Sequence, residues 1–253
     1  MRAALADSYV LVPGQGPAPR PRRRIPAMCG RYALHTHPDI IVLQFCVTDA
    51  PQMKPRFNIA PTQEAPIVRV RADPEQKREL ALLRWGLIPS WSKDPSIGAR
   101  MINARAESVA EKPSFRNAFR RRRCLVPADG YYEWKLEGGR KHPYFLQLAS
   151  SEPFAMAGLW EQWRLPEGRL IETYAIVTTE AAGTARQIGD RMPVILAQPD
   201  YEAWLCSADP GGLLRPWAGA ALSVRRVSPR VNSARFDDPQ CLDEAGRGAV
   251  GGP

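Results

Sequence analysis

A chain of 253 residues is long enough to bury a sizeable core, and its 44% apolar content with seven Trp excludes a disordered chain. Its formal net charge is +9; five arginines against Asp7 place +4 of this in residues 1–27 and leave +5 to the remainder. That excess admits a polyanionic partner without identifying one.

Five cysteines, widely spaced and without a CxxC pair, suggest neither a disulfide framework nor a zinc site and fit a reduced cytoplasmic protein. No uncharged apolar run reaches about 18 residues, the length a membrane span needs. Asp7 and Pro13 interrupt the leader's one apolar stretch, so it lacks a signal-peptide core.

In chain order, residues 1–27 contain VPGQGPAPRPRRRIPA and read as a flexible Pro- and Arg-rich leader. Met28 to Arg31, MCGR, then reads like the start of a protein. RYALHT is the first predicted strand and PDIIVLQF the first helix. APIVRVR and ELALLRWGLI follow as strands, with Trp85 assigned to the core and Trp91, beside SKDPS, to an exposed ring. KPSFRNAFRRRR reads as a helix, with Pro113 near its first turn and Phe115 and Phe119 four apart. Its arginines, Arg120 to Arg123, suit either a phosphate track or a solvated helix end.

RCLVPADGYYEWK, HPYFLQL, PFAMAGLWEQW, TYAIVTT, PVILA and LSVRRVS are further strands. EGGRKHP and RLPEGRL are hairpin turns between them, and TARQIG and PDYEAWL are short helices. Residues 245–253, which end in GRGAVGGP, read as a disordered tail. The expected fold is α+β: a single mixed domain, residues 28–244, dominated by a curled or barrel-like, mostly antiparallel β-sheet with peripheral helices.

Two segments are unusual for a purely structural chain. INARAES places Asn103, Arg105 and Glu107 at alternate positions, which in an extended strand project from one face; a solvated edge has the same pattern. DGYYEWK sets Glu133 between Tyr132 and Trp134. A carboxylate flanked by aromatics has a raised pKa when desolvated and suits acid–base work, although an ordinary outward-facing Glu also fits an alternating strand.

MCGRY, RFNIAPTQ, RWGLIPSW, INARAES, RCLVPADGYYEWK, MAGLWE, YAIVTTEA, DRMPVIL and VSPRVNSARFDDP occur here in one series. This series resembles the SOS response-associated peptidase (SRAP) family, whose members act on abasic sites in DNA, and the resemblance spans residues 28 to about 238. It implies removal of the Met, which makes Cys29 the first residue with a free amine beside its thiol. The amine condenses with the ring-opened aldehyde of an abasic site, and the thiol then closes a thiazolidine. An α-amine with a pKa of about 7.7–8.0 is free base in roughly a tenth of molecules at neutral pH, whereas a Lys near 10.4 is not. Cys29 thus supplies both nucleophiles at a fixed separation.

By the same resemblance Asn103 orients the sugar and the amine, and Glu133 is the acid or base. Arg31 and Arg105 match positions that hold the DNA backbone, while Trp91 and Pro61 border the DNA groove. The implied partner is single-stranded DNA containing abasic sites, bound by a monomer in the cytoplasm at the nucleoid. No cofactor or metal is implied; His35 and His37 form an HxH pair that lacks a carboxylate or cysteine at ligand spacing.

Two departures matter. Where the family has I-H-D-R-M-P this chain reads IGDRMP, with Gly189 at the histidine position, and His142 in KHPYF belongs to a turn or the surface. Loss of an imidazole predicts slower crosslinking and weakened strand cleavage or reversal. The leader is the second departure, because an amide nitrogen on Cys29 cannot form an imine. A start at Met28, self-cleavage ahead of Cys29, and a retained leader that blocks the chemistry are the alternatives. Rival functions are a thiol peptidase with autoproteolytic N-terminal processing and a non-catalytic single-stranded DNA-binding protein.

Overall fold

Turn chemistry and strand alternation set the architecture, seen here in a computed structural model that describes residues 29–48, 53–71, 75 and 77–245. The leader, and the tail beyond Ala245, lie outside the described residues. Strand β1 (Arg31–Leu34) precedes α1 (Pro38–Phe45), β2 (Arg56–Ile59), β3 (Glu64–Val70), β4 (Arg78–Trp85) and β5 (Asn103–Arg105). Then come α2 (Arg116–Arg121), β6 (Arg123–Ala128), β7 (Gly130–Glu137), β8 (Arg140–Leu148), β9 (Phe154–Arg164) and β10 (Leu170–Glu180). β11 (Arg191–Pro193), β12 (Ile195–Leu196), α3 (Tyr201–Cys206) and β13 (Leu222–Arg226) complete the order.

The strands form two sheets. One is antiparallel, in the order β13-β8-β7-β1-β2. In the other, β10-β4-β3-β6-β9 are successive neighbours and β9 pairs back onto β10, which closes a five-stranded barrel. β10–β4 is the parallel pairing in that ring. The curled, mostly antiparallel sheet expected from the hairpin spacing is therefore present. Gly138 and Gly139 both take positive φ (54° and 78°) in the β7–β8 turn, a conformation that favours glycine.

One apolar core joins the inner face of the open sheet to the barrel, with Tyr32, Tyr131, Trp85, Tyr174 and Trp204 fully buried. Sequence spacing explains the packing of α1. His37 caps it through its ring, Pro38 opens it, and Ile41 and Phe45, four apart, turn inward. Phe45 stacks on Tyr201 of α3 with ring centroids 5.3 Å apart.

α2 is shorter than the helix read from KPSFRNAFRRRR: it begins after Pro113 and stops at Arg121. The cause is Arg123, which is 6% exposed and donates to the carbonyls of Phe119, Arg120, Trp204, Leu205 and Ser207. One guanidinium thus closes the C-terminal ends of α2 and α3, where unpaired carbonyls and the helix dipole favour a cation. The four-arginine run is neither a continuous phosphate track nor a purely solvated helix end. Arg122 pairs with Glu161, and Arg120 and Arg121 are the exposed pair.

Candidate active site

Cys29 lies two residues before β1, and its side chain is completely buried. The Asn103 amide donates to the Cys29 carbonyl oxygen at 2.9 Å. Asn103 is placed by β5, which runs parallel to β10 with Asn103 opposite Ile176. The preceding turn is fixed by Trp85 Nε1 and the Ile176 N–H, both of which donate to the Ile102 carbonyl, at 2.9 and 3.0 Å. A core tryptophan and a strand edge therefore aim this side chain at Cys29.

Glu133 sits in the middle of β7 and is 2% exposed. Burial raises its pKa to about 8; the Trp134 N–H and the Lys141 charge oppose the shift, and Asp190 adds to it. Tyr132 and Trp134, the flanking aromatics, are not the cause. Strand alternation puts them on the opposite face, packed with Ala33, Phe145 and Val227, while Tyr131 and Glu133 face the interior. What desolvates the carboxyl is its position between the two sheets.

The Cys29 thiol is pushed well above its ordinary pKa by burial and then by the Glu133 charge, with the Arg31 N–H opposing. The thiol is therefore protonated at neutral pH, and its deprotonation is easier once Glu133 carries a proton.

Gly189 abuts this carboxyl. A Cβ placed on it would lie 3.5 Å from Glu133 Cγ and 3.6 Å from Cδ, at ordinary contact distance. A side chain at position 189 would rest on Glu133. The Gly189 N–H is held by the Ala185 carbonyl at 3.1 Å, at the end of a short 3-10 turn, Gly183–Gln187.

Buried polar atoms without a hydrogen-bond partner mark the same place. Among the described residues they are Arg31 Nε, Asn58 Oδ1, Asn103 Oδ1, Tyr131 Oη, Glu133 Oε1 and Arg191 Nε. Asn103, Tyr131 and Glu133 lie around Cys29 and Arg191 is in the segment that carries Gly189, whereas Arg31 and Asn58 lie elsewhere. An unsatisfied buried group costs about 1–3 kcal/mol, so a cluster of them persists where a ligand is to be met.

Arg31 lies on the other face of the open sheet, half-buried, and lines an open cleft of about 410 Å³ with Trp134, Lys141 and Asn232. Trp134 Nε1 donates to Asn232 Oδ1 at 2.7 Å, which fixes the indole as one wall of that cleft. Arg105 is exposed, two residues beyond Asn103. Trp91 is 57% exposed on a loop tied down by Trp163 Nε1 to the Ser92 carbonyl at 2.7 Å. Pro61 is half-buried in the turn before β3. Cys29, Asn103 and Glu133 are thus brought together, whereas Arg31 lines the cleft on the opposite face, Arg105 is exposed, and no contact joins Trp91 or Pro61 to these three.

The alternation read from INARAES stops early. β5 ends at Arg105, and Ala106–Ser108 coil into a 3-10 turn, so Glu107 is not on a strand face with Asn103. Glu107 instead takes a two-pronged bond from Arg191, at 2.6 and 3.0 Å.

Sequence reading passed over Tyr131, Lys141 and Asn232. The first two look like ordinary core and surface positions of a hairpin, and Asn232 reaches the cleft from about 98 residues beyond Trp134. Among the described residues no group of three or more His, Cys, Asp or Glu is placed to hold a metal ion, and no helix is long and apolar enough to cross a membrane.

A buried cysteine, an amide that grips its carbonyl and a buried carboxyl with a pKa raised to about 8 thus lie together between the two sheets. Residues 28–234 match the model of the SOS response associated peptidase (SRAP) family, and the chain belongs to that family. Abasic site processing protein YoqW of Bacillus subtilis (strain 168) is 41% identical over 225 residues, covering 85% of this chain and 99% of its own. Abasic site processing protein HMCES of Gallus gallus is 33% identical over 223 residues, 75% of this chain and 66% of its own. A crystal structure of a Bacteroides thetaiotaomicron protein matches with a TM-score of 0.75 at 26% identity, covering 86% of this chain and 100% of that one.

Proposed function

We propose that this protein captures abasic sites in single-stranded DNA by covalent reaction of Cys29, acting as a monomer at the nucleoid. The observation that carries the reading is the clustering of Asn103 and Glu133, each with a partnerless buried oxygen, around Cys29. The names of the relatives, abasic site processing proteins, supply the substrate class.

The reaction requires an unblocked Cys29 amine, and so removal of every residue ahead of it from the working domain, which ends near residue 244. The amine nitrogen attacks the aldehyde carbon, and the carbonyl oxygen becomes a hydroxyl. Glu133, protonated up to about pH 8, gives its proton to that hydroxyl, which leaves as water, and the Glu133 carboxylate takes the remaining proton from nitrogen to leave the imine. Asn103 holds the Cys29 carbonyl, and its free Oδ1 accepts from the amine. The thiol then adds to the imine carbon, its proton passing to nitrogen, and the five-membered ring closes.

Arg31 and Lys141 in the open cleft and the exposed Arg105 bind phosphates, with Trp91 and Pro61 farther along the strand. Strand cleavage and crosslink reversal are the slow steps in this chain, since Gly189 offers no imidazole to Glu133.

A thiol peptidase is less well supported. A base beside the thiol is needed, and each histidine is engaged elsewhere: His35 with Asp129 and the Phe57 ring, His37 at the start of α1, His142 with Arg226.

The test is a denaturing gel with an abasic single-stranded oligonucleotide. Protein beginning at Cys29 gives a shifted, denaturant-stable band, while Cys29→Ala and protein that retains residues ahead of Cys29 give none. Salt-sensitive binding without a stable band would leave a non-catalytic binder, and release of peptide from an unrelated protein substrate without any band would favour the peptidase.

A further inference from the structure

Resting on the reading above, we infer that the Tyr131 hydroxyl is a further substrate-contacting group, a hydrogen-bond donor to the sugar oxygen that is expelled as Cys29 forms its imine. Tyr131 is fully buried, and its Oη has no partner among the described residues. The other described tyrosines differ. Tyr32 and Tyr174 share a 2.7 Å bond, Tyr132 donates to the Phe57 carbonyl at 2.6 Å, Tyr144 donates to Glu137, and Tyr201 is bonded to Gln44.

Tyr131 precedes Glu133 by two residues on the same inward face of β7, and the charges of Cys29 and Glu133 both act on it. Burial and those two charges hold the phenol well above its ordinary pKa, so it stays a donor across the working range. A phenylalanine would fill the same space without an unsatisfied hydroxyl, so packing does not account for the oxygen.

Gly189 gives the hydroxyl a task. No side chain at 189 reaches Glu133, and among the described residues Tyr131 is a buried donor without a partner on the same face of β7 as the carboxyl. During dehydration the C–O bond breaks with its electron pair going to oxygen. Glu133 supplies the proton, and Tyr131 stabilises the charge growing on that oxygen without being consumed.

Three measurements on Tyr131→Phe, in protein beginning at Cys29, test this. The rate of denaturant-stable adduct formation on abasic single-stranded DNA falls about tenfold, the worth of one lost transition-state hydrogen bond. Affinity for an oligonucleotide with a tetrahydrofuran abasic analogue, which cannot form an imine, is unchanged. The melting temperature rises by about 2–4 °C, because a partnerless hydroxyl is removed; a structural tyrosine would lower it.

An unchanged adduct rate, or a rate that falls only in step with tetrahydrofuran-site affinity, overturns the inference. If Tyr131→Phe does not fold, 3-fluorotyrosine placed at 131 keeps the shape and strengthens the donor. The adduct rate then rises, and an unaltered rate overturns the inference equally. Wild-type protein that forms no adduct sinks the function itself, a failure distinguishable from these.

Discussion

Glu133→Gln isolates the electrostatics of the pocket from its chemistry. The wild-type carboxyl is held neutral by burial, with its pKa raised from 4.5 to about 8. Unfolded, it ionises near 4.5. Between those values the folded chain keeps a proton that the unfolded chain has lost, so stability falls as pH rises through this window and levels off above about 8.

Moving the midpoint that far corresponds to roughly 5 kcal/mol against the ionised form, at about 1.4 kcal/mol per pH unit. Water entering beside the carboxylate lowers the realised value, and ~2–4 kcal/mol is expected. Glutamine has the shape of the neutral acid and does not titrate. Urea unfolding from pH 4.5 to 8.5 should give near-equal stabilities at the acid end, with Glu133→Gln the more stable variant by ~2–4 kcal/mol at pH 8.5. The same variant loses the proton donor, so its adduct rate falls by about a hundredfold. Parallel pH–stability curves for the two proteins would refute the buried, neutral carboxyl.

Gly189→His should be accommodated, since a Cβ there meets Glu133 at ordinary contact distance. It should accelerate adduct reversal and strand cleavage by about tenfold or more on a time-resolved gel; unchanged rates would remove the argument from the missing imidazole. Arg105→Glu should weaken single-stranded DNA binding about tenfold and flatten its salt dependence by about one phosphate contact, as read by fluorescence anisotropy across salt concentrations. Arg123→Met leaves five carbonyls without their donor and should destabilise the fold by about 2–4 kcal/mol in urea, with a loss below about 0.5 kcal/mol ruling out the helix-end clamp.

Local chemistry was the legible part of the sequence. EGGRKHP and RLPEGRL became the β7–β8 and β9–β10 hairpins, and PDIIVLQF became α1 without change, because each is decided by its own turn, cap or period. What failed depended on distant partners. RFNI was not read as a strand; it is held as β2 by the Asp237 carboxylate, which accepts from the N–H groups of Phe57 and Asn58, and by the Asn58 amide reaching three carbonyls of the closing segment. Arg123 looked like one of a run of surface charges because its five acceptors lie on two helices, one of them about 81 residues away. Cys29, Asn103 and Glu133 stood out through their motifs, whereas Tyr131 is an aromatic in an alternating strand, and nothing local distinguishes its hydroxyl from any other in a core.

The closing segment has a consequence for how the protein is made. Asn58 grips the carbonyls of Val231, Ser233 and Phe236, and Trp134 is steadied by Asn232. During synthesis Cys29 and β2 leave the ribosome about 170 residues or more ahead of this segment. β2 and the Trp134 wall of the cleft are therefore completed only when this segment has folded back onto them.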